Sequence, residues 1–148
     1  RVIRRAKYAG EAQILWPVGQ EMGRQVSRLD LPVQAVVPVP ASWPRSFWRG
    51  VDVVQELALP VAQTLHLPLM PLLSRKYRPS QAGLSREERR KNLTGSITAR
   101  PGPERVLLVD DVITTGSTLQ ACADALLCAG VQQVYVLAAC SAYSSPKP

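Results

Sequence analysis

The stretch Arg105-Val-Leu-Leu-Val-Asp-Asp-Val-Ile-Thr-Thr-Gly-Ser-Thr118 constrains the fold more than any other part of the sequence. Four consecutive apolar residues after Arg105 read as a strand buried on both faces, running over Arg105–Asp110. An abrupt change to Asp110-Asp111 and a Thr/Gly/Ser turn ends it. Ser117 to Ala129 then reads as a small-residue helix closed by Gly130, the usual residue just past a helix end. Val131 to Cys140 reads as a second strand. Strand, helix, strand is a βαβ unit, so the sheet is parallel and the crossover right-handed.

Upstream the pattern is broken by prolines. Ala6 to Leu29 reads as helix, with Pro17 predicting a kink or two short helices. Val33 to Pro40 is a short apolar strand that ends in prolines, followed by an aromatic loop over 41–50 with Trp43, Phe47 and Trp48. Val51 to Leu65 has helical spacing, with Pro60 predicting a bend or a split. His66 to Leu73, interrupted by Pro68 and Pro71, fits an edge strand. Ser80 to Gly83 reads as loop and Ser85 to Asn92 as a short helix. The expected organisation is a helical segment over 1–30 and an α/β core over 31–148.

Composition narrows the class. With 148 residues, 46% hydrophobic and 20% charged, the chain has the apolar content of one globular domain and not of a disordered one. No apolar window reaches the length of a membrane span, and no apolar run follows the basic residues Arg1 to Lys7 as a signal peptide would require. Three cysteines (Cys122, Cys128, Cys140) are too few for a disulfide framework or a four-cysteine zinc site, which suits a reducing, cytoplasmic setting. The chain begins at Arg1, as a fragment or processed protein would. Lys and Arg number 18 against 11 Asp and Glu, a net charge of +7. The span from Arg75 to Lys91 holds seven basic and two acidic residues, hence +5 of it. That run admits three readings: an active-site flap, a nucleic-acid patch or a solvated surface.

The chemistry concentrates where the βαβ unit turns. A parallel strand delivers Asp110 and Asp111 toward its carboxyl end, where ligands bind in open α/β sheets. Thr114 to Thr118 then opens a helix, whose free N–H groups and dipole favour an anion. Gly116 permits close backbone approach, and the hydroxyls add donors. Acceptors for hydroxyl groups thus stand beside donors for a phosphate, the pair that a sugar phosphate needs. A simple helix cap would explain one hydroxyl but not two adjacent carboxylates as well. Neither Gly-x-x-x-x-Gly-Lys-[Ser/Thr] nor Gly-x-Gly-x-x-Gly occurs.

This segment resembles the phosphoribosyl pyrophosphate (PRPP) signature of the type I phosphoribosyltransferases. Nearly the whole chain is similar to the ComF/GntX group, the competence-associated members. Ala6-Lys-Tyr8, Val37-Pro-Val-Pro40, Arg49-Gly50, Gln81, Leu84, Arg89 and Asn92 carry that likeness. Val51 and Asp52 stand where the group has Phe and Asn, Arg78 stands for a Thr, and its four-cysteine zinc ribbon has no counterpart here. The resemblance implies a type I phosphoribosyltransferase-like α/β fold, a mostly parallel twisted sheet flanked by helices, with a small N-terminal hood. It implies that Asp110 and Asp111 hold the ribose hydroxyls, directly or through Mg²⁺, as catalytic and metal residues. Val112, Ile113, Thr114, Thr115, Gly116, Ser117 and Thr118 would bind PRPP, and Arg49 and Gly50 would form the pyrophosphate loop. Arg75, Lys76, Gln81, Arg89 and Asn92 would belong to a flexible flap. The implied activity is transfer of a phosphoribosyl group from PRPP to a nitrogen acceptor, with release of pyrophosphate. The alternative is a non-catalytic module binding PRPP and single-stranded DNA during DNA uptake. A homodimer is among the partnerships the resemblance allows.

The remaining residues have ordinary readings. His66 fits a surface or cap position, the cysteines fit buried hydrophobes, and Trp43 and Trp48 fit loop packing better than base stacking.

Overall fold

The computed structural model describes residues 14–41, 52–76 and 96–141. Its first element, α1 (Leu15–Ser27), buries Leu15, Gly19, Met22, Gly23 and Val26, one stripe at helical spacing. Over Leu15–Ser27 the helix is continuous through Pro17, while the expected helical residues before 14 lie outside the described residues. The helix starts only two residues earlier, so the missing N–H belongs to the first turn, where no intrahelical bond is lost. β1 (Ala35–Pro38) follows, buried throughout.

Next comes α2 (Val53–Leu65). Asp52 caps it, accepting from Val54 N at 3.1 Å and Gln55 N at 3.2 Å, which sets its start two residues later than the spacing predicts. It runs unsplit through Pro60, so the expected break does not occur. The Thr64 hydroxyl donates to the Pro60 carbonyl at 2.8 Å, and Pro60 is buried against α1. Packing holds the helix where propensity alone would break it. His66 ends it in the left-handed region (φ 56°), exposed, as the cap reading expects.

Residues 68–70 run beside β1 but make one parallel bridge only, Val36 to Leu69. Pro68 and Pro71 donate nothing, which limits this expected edge strand to that contact. β2 (Leu73–Arg75) and β3 (Ile97–Ala99) form an antiparallel pair, with Lys76 N donating to Ser96 O at 2.8 Å. β4 (Arg105–Ile113), α3 (Ser117–Cys128) and β5 (Gln133–Ser141) complete the predicted βαβ unit. The strand order is β1-β4-β5, all parallel.

Alternation along β4 makes two cores. Val106 and Leu108 pack with Leu119, Cys122 and Leu126 of α3 and with Leu73 and Ile97 of the β2–β3 pair. Leu107 and Val109 pack with Leu15, Met22 and Val26 of α1 and with Leu57, Ala58 and Val61 of α2. Helices therefore cover both faces of the sheet, which is why four apolar residues stand in a row. Among the described residues no helix is long and apolar enough to cross a membrane.

Candidate functional site

β4 is longer than its apolar run suggests. It pairs with β5 from Arg105 to Ile113, so Asp110, Asp111, Val112 and Ile113 lie within the strand and not beyond it. On its other side the pairing with β1 stops at Pro38 opposite Val109, with Val39 N donating to Val109 O at 2.9 Å. The described β1–β4 ladder thus ends one residue before Asp110. β1 leads to α2 on one face of the sheet, and β4 leads to α3 on the other. The acid pair sits at this reversal, where open α/β sheets leave a crevice at the strands' carboxyl ends.

Strand alternation puts Asp110 on the α3 face and Asp111 on the α1–α2 face. Each is 8% exposed. Asp110 Oδ1 accepts from the Asp111 backbone N–H at 2.8 Å, which fixes its carboxylate at the strand edge. Burial of two adjacent carboxylates costs free energy unless other groups answer their charge. Apart from Ser96, the other buried residues that the structure describes are apolar or glycine, so two charged side chains here are not what packing alone demands.

The turn after Ile113 exposes Thr114 and Thr115. Gly116 adopts φ 75°, a conformation that glycine reaches without strain, and a Cβ there would meet nothing within 4 Å. Gly116 is also the N-cap of α3, and no side chain caps that helix. Thr115 Oγ1 and Ser117 Oγ lie 2.9 Å apart, and the Ser117 N–H reaches Thr115 Oγ1 at 3.4 Å. Gln120 N bonds Gly116 O at 2.9 Å, so the helix is regular from its first turn. The result is an uncapped helix start, hydroxyl-rich, with open space in front of Gly116. Val112 and Ile113 pair with Cys140 and Ser141, and Ile113 packs on the α3-side core.

One neighbour of the acid pair escapes sequence reasoning. The Cys140 thiol, on β5, donates to the Asp111 carbonyl at 3.6 Å. No spacing in the sequence announces a register between β4 and β5. Arg75, one of the residues expected in the flap, lies in β2 and is half-buried. Its charge and that of Asp110 both reach the Cys122 thiol. Burial pushes that thiol up to about 12, Asp110 adds to the rise and Arg75 opposes it. Arg49, Gly50, Gln81, Arg89 and Asn92 lie outside the described residues, as do Trp43 and Trp48.

Among the described residues no group of three or more His, Cys, Asp or Glu side chains converges as a metal site. Two carboxylates are hard oxygen donors, and they suit a cation such as Mg²⁺ that takes most of its ligands from substrate and water.

Residues 50–148 match the family model of the phosphoribosyl transferase domain. The chain is 35% identical to Competence protein F of Haemophilus influenzae over 120 residues, covering 76% of this chain and 52% of that protein. It therefore spans about half the length of that curated relative. Among solved structures it is similar to the B. subtilis glutamine PRPP amidotransferase complexed with ADP and GMP. That match has a TM-score of 0.60 at 20% identity and covers 84% of this chain and 26% of that one. It is also similar to the orotate phosphoribosyltransferase of Aeropyrum pernix, with a TM-score of 0.53 at 19% identity, over 90% and 75% of the two chains. These two likenesses are of fold, and they agree with the parallel sheet between helices described above. Since the domain model takes in more than half of its residues, the chain belongs to the phosphoribosyl transferase domain family, and its likeness to Competence protein F makes it a ComF-type member.

Proposed function

We propose that the crevice at the end of β4 binds PRPP and that the protein transfers its phosphoribosyl group to a nitrogen acceptor, releasing pyrophosphate. One observation carries this reading: an acid pair and an uncapped, hydroxyl-rich helix start share the sheet edge where β1 has already ended. In the proposed complex the 5′-phosphate lies against Thr114 to Thr118. The free N–H groups of the first turn of α3 and the Thr115 and Ser117 hydroxyls donate to it. Asp110 and Asp111 accept from the ribose 2′- and 3′-hydroxyls and hold the sugar with C1 facing the crevice. The bond from C1 to pyrophosphate breaks as the bond to nitrogen forms, so pyrophosphate leaves with the electron pair and the acceptor sheds a proton. Positive charge on the ribose in that transition state is stabilised by the two carboxylates, which are pre-set by burial and by the Asp111 N–H bond. Mg²⁺, when bound, would be held by Asp110 and Asp111 and would neutralise charge on the pyrophosphate. Flap and pyrophosphate-loop roles for Arg75, Lys76, Gln81, Arg89 and Asn92, and for Arg49 and Gly50, belong to the same proposal.

The test is calorimetric titration of PRPP with Mg²⁺ into the wild type and into an Asp110→Asn/Asp111→Asn protein whose folding is checked by circular dichroism. Binding is expected in the first, with affinity lower by at least about tenfold in the second, because several charge-assisted bonds are lost. Equal affinities would overturn the reading. A second reading, binding without transfer and with single-stranded DNA as partner, is favoured by the +7 charge and its concentration over residues 75–91. Salt separates the two. DNA binding through phosphates weakens steeply as salt rises, whereas release of pyrophosphate with any acceptor would establish transfer.

A further inference from the structure

β5 is the end strand of its sheet, and among the described residues no strand pairs with its outer side. Edge strands ordinarily guard that side with charge, proline, a bulge or short length, because its N–H and C=O groups are a template for another chain. β5 has none of these guards. It runs nine residues, Gln133-Val-Tyr-Val-Leu-Ala-Ala-Cys-Ser141, without a charged residue or a proline. It keeps one register with β4 throughout. Both of its faces are apolar: Val134 packs on the α3-side core, and Tyr135, Leu137 and Ala139 pack on the α1–α2 side. Val136, which alternation places on the α3 side, is 46% exposed.

Residue size along β5 selects the occupant. The half before Leu137, Val134-Tyr-Val136, is large, and the half after it, Ala138-Ala-Cys140, is small. Run antiparallel against itself about Leu137, the strand sets Val134 opposite Cys140, Tyr135 opposite Ala139 and Val136 opposite Ala138. Each pair then joins a large side chain to a small one. Parallel pairing in register would set Tyr135 on Tyr135 and alanine on alanine. Charge agrees with this choice. Two copies of a chain of net charge +7 repel one another, and an uncharged edge is where they approach at least cost. We propose that β5 pairs antiparallel with β5 of a second copy, centred on Leu137, so that two sheets join into one across a two-fold axis. Such a contact uses the same patch on both copies and closes at two.

Sedimentation velocity of the wild type over about 1–200 µM is expected to show a monomer passing into a dimer, since a small interface associates weakly. Val136→Lys, at an exposed position, puts a charge on the edge beside its own two-fold mate. It is expected to weaken association by at least about tenfold, with circular dichroism checking that it folds. A second measurement reads the register. Val134→Cys sets a thiol opposite the native Cys140 of the second copy, within reach of a disulfide. Oxidised glutathione is expected to convert that variant into a covalent dimer on a non-reducing gel, and adding Cys140→Ser is expected to abolish it. A wild type that stays monomeric over the whole range overturns the proposal and leaves the edge to a different chain. A dimer that Val136→Lys leaves unchanged places the contact on another face and overturns it as well. So does a Val134→Cys protein that forms no covalent dimer, or one whose covalent dimer persists without Cys140.

Discussion

Cys122 shows how far a single residue's environment can move its chemistry. It is fully buried, and its thiol titrates at about 12 instead of 9.0, through desolvation first and the nearby Asp110 second. Below pH 9 the folded and unfolded chains both keep that proton, so stability is unaffected. Between 9.0 and about 12 the unfolded chain loses it while the folded chain holds it, so stability falls as pH rises. The slope approaches about 1.4 kcal/mol per pH unit for this one group. Cys122→Ala is expected to be less stable at neutral pH and to lose that alkaline component, which urea unfolding of both proteins at pH 8 and about pH 10.5 would measure. In the native protein a thiol reagent is expected to label Cys128 and Cys140, both exposed, and to reach Cys122 only on unfolding. Gly116 is the other residue with a sharp expectation. An added methyl group has room, so Gly116→Ala should cost only the strain of φ 75°, about 1 kcal/mol, read by thermal melting.

At the scale of elements, α1 and α2 meet through glycine. A Cβ on Gly19 would stand 2.6 Å from the Leu57 carbonyl oxygen and against the Pro60 ring, and one on Gly23 would stand 2.7 Å from Thr64 Cβ. Gly23→Leu is expected to destabilise the protein by about 3 kcal/mol or more, because the β-branched Thr64 side chain stands against that position and has no rotamer that clears its own Cβ. Asp52→Ala removes the cap from two N–H groups of α2 and should cost about 1 kcal/mol, both effects being read from chemical denaturation. The α1–α2 contact also explains why the break expected at Pro60 does not occur. Prolines are read as breakers because the sequence carries no record of their position within a helix or of what presses on them. Pro17 falls in a first turn, where it removes no bond. Pro60 survives mid-helix because α1 packs on it and Thr64 bonds its carbonyl. The end of β4 was misjudged for a related reason: two acids look like a strand's end, yet the ladder to β5 carries on to Ile113.

Across the whole molecule, neighbouring residues of β4 serve different cores. Leu107→Ala opens the α1–α2 side and Leu108→Ala the α3 side, and each is expected to cost about 3 kcal/mol, as buried leucines do. Urea unfolding of each variant should still give one transition, since both cores share the same strand. The sequence by itself determined the βαβ unit, its parallel pairing, the acid pair and the glycine turn into α3. These follow from local rules: a doubly buried strand must be apolar throughout, and a helix start must leave N–H groups free. Only the tertiary structure decided that the β1–β4 ladder ends with Pro38 opposite Val109, one residue before Asp110, that Cys140 meets the Asp111 carbonyl, and that Arg75 is held in a strand opposite Ile97. Each of these depends on register between segments distant in sequence. Register is settled by the fit of whole faces against one another, a quantity that no single stretch of residues contains.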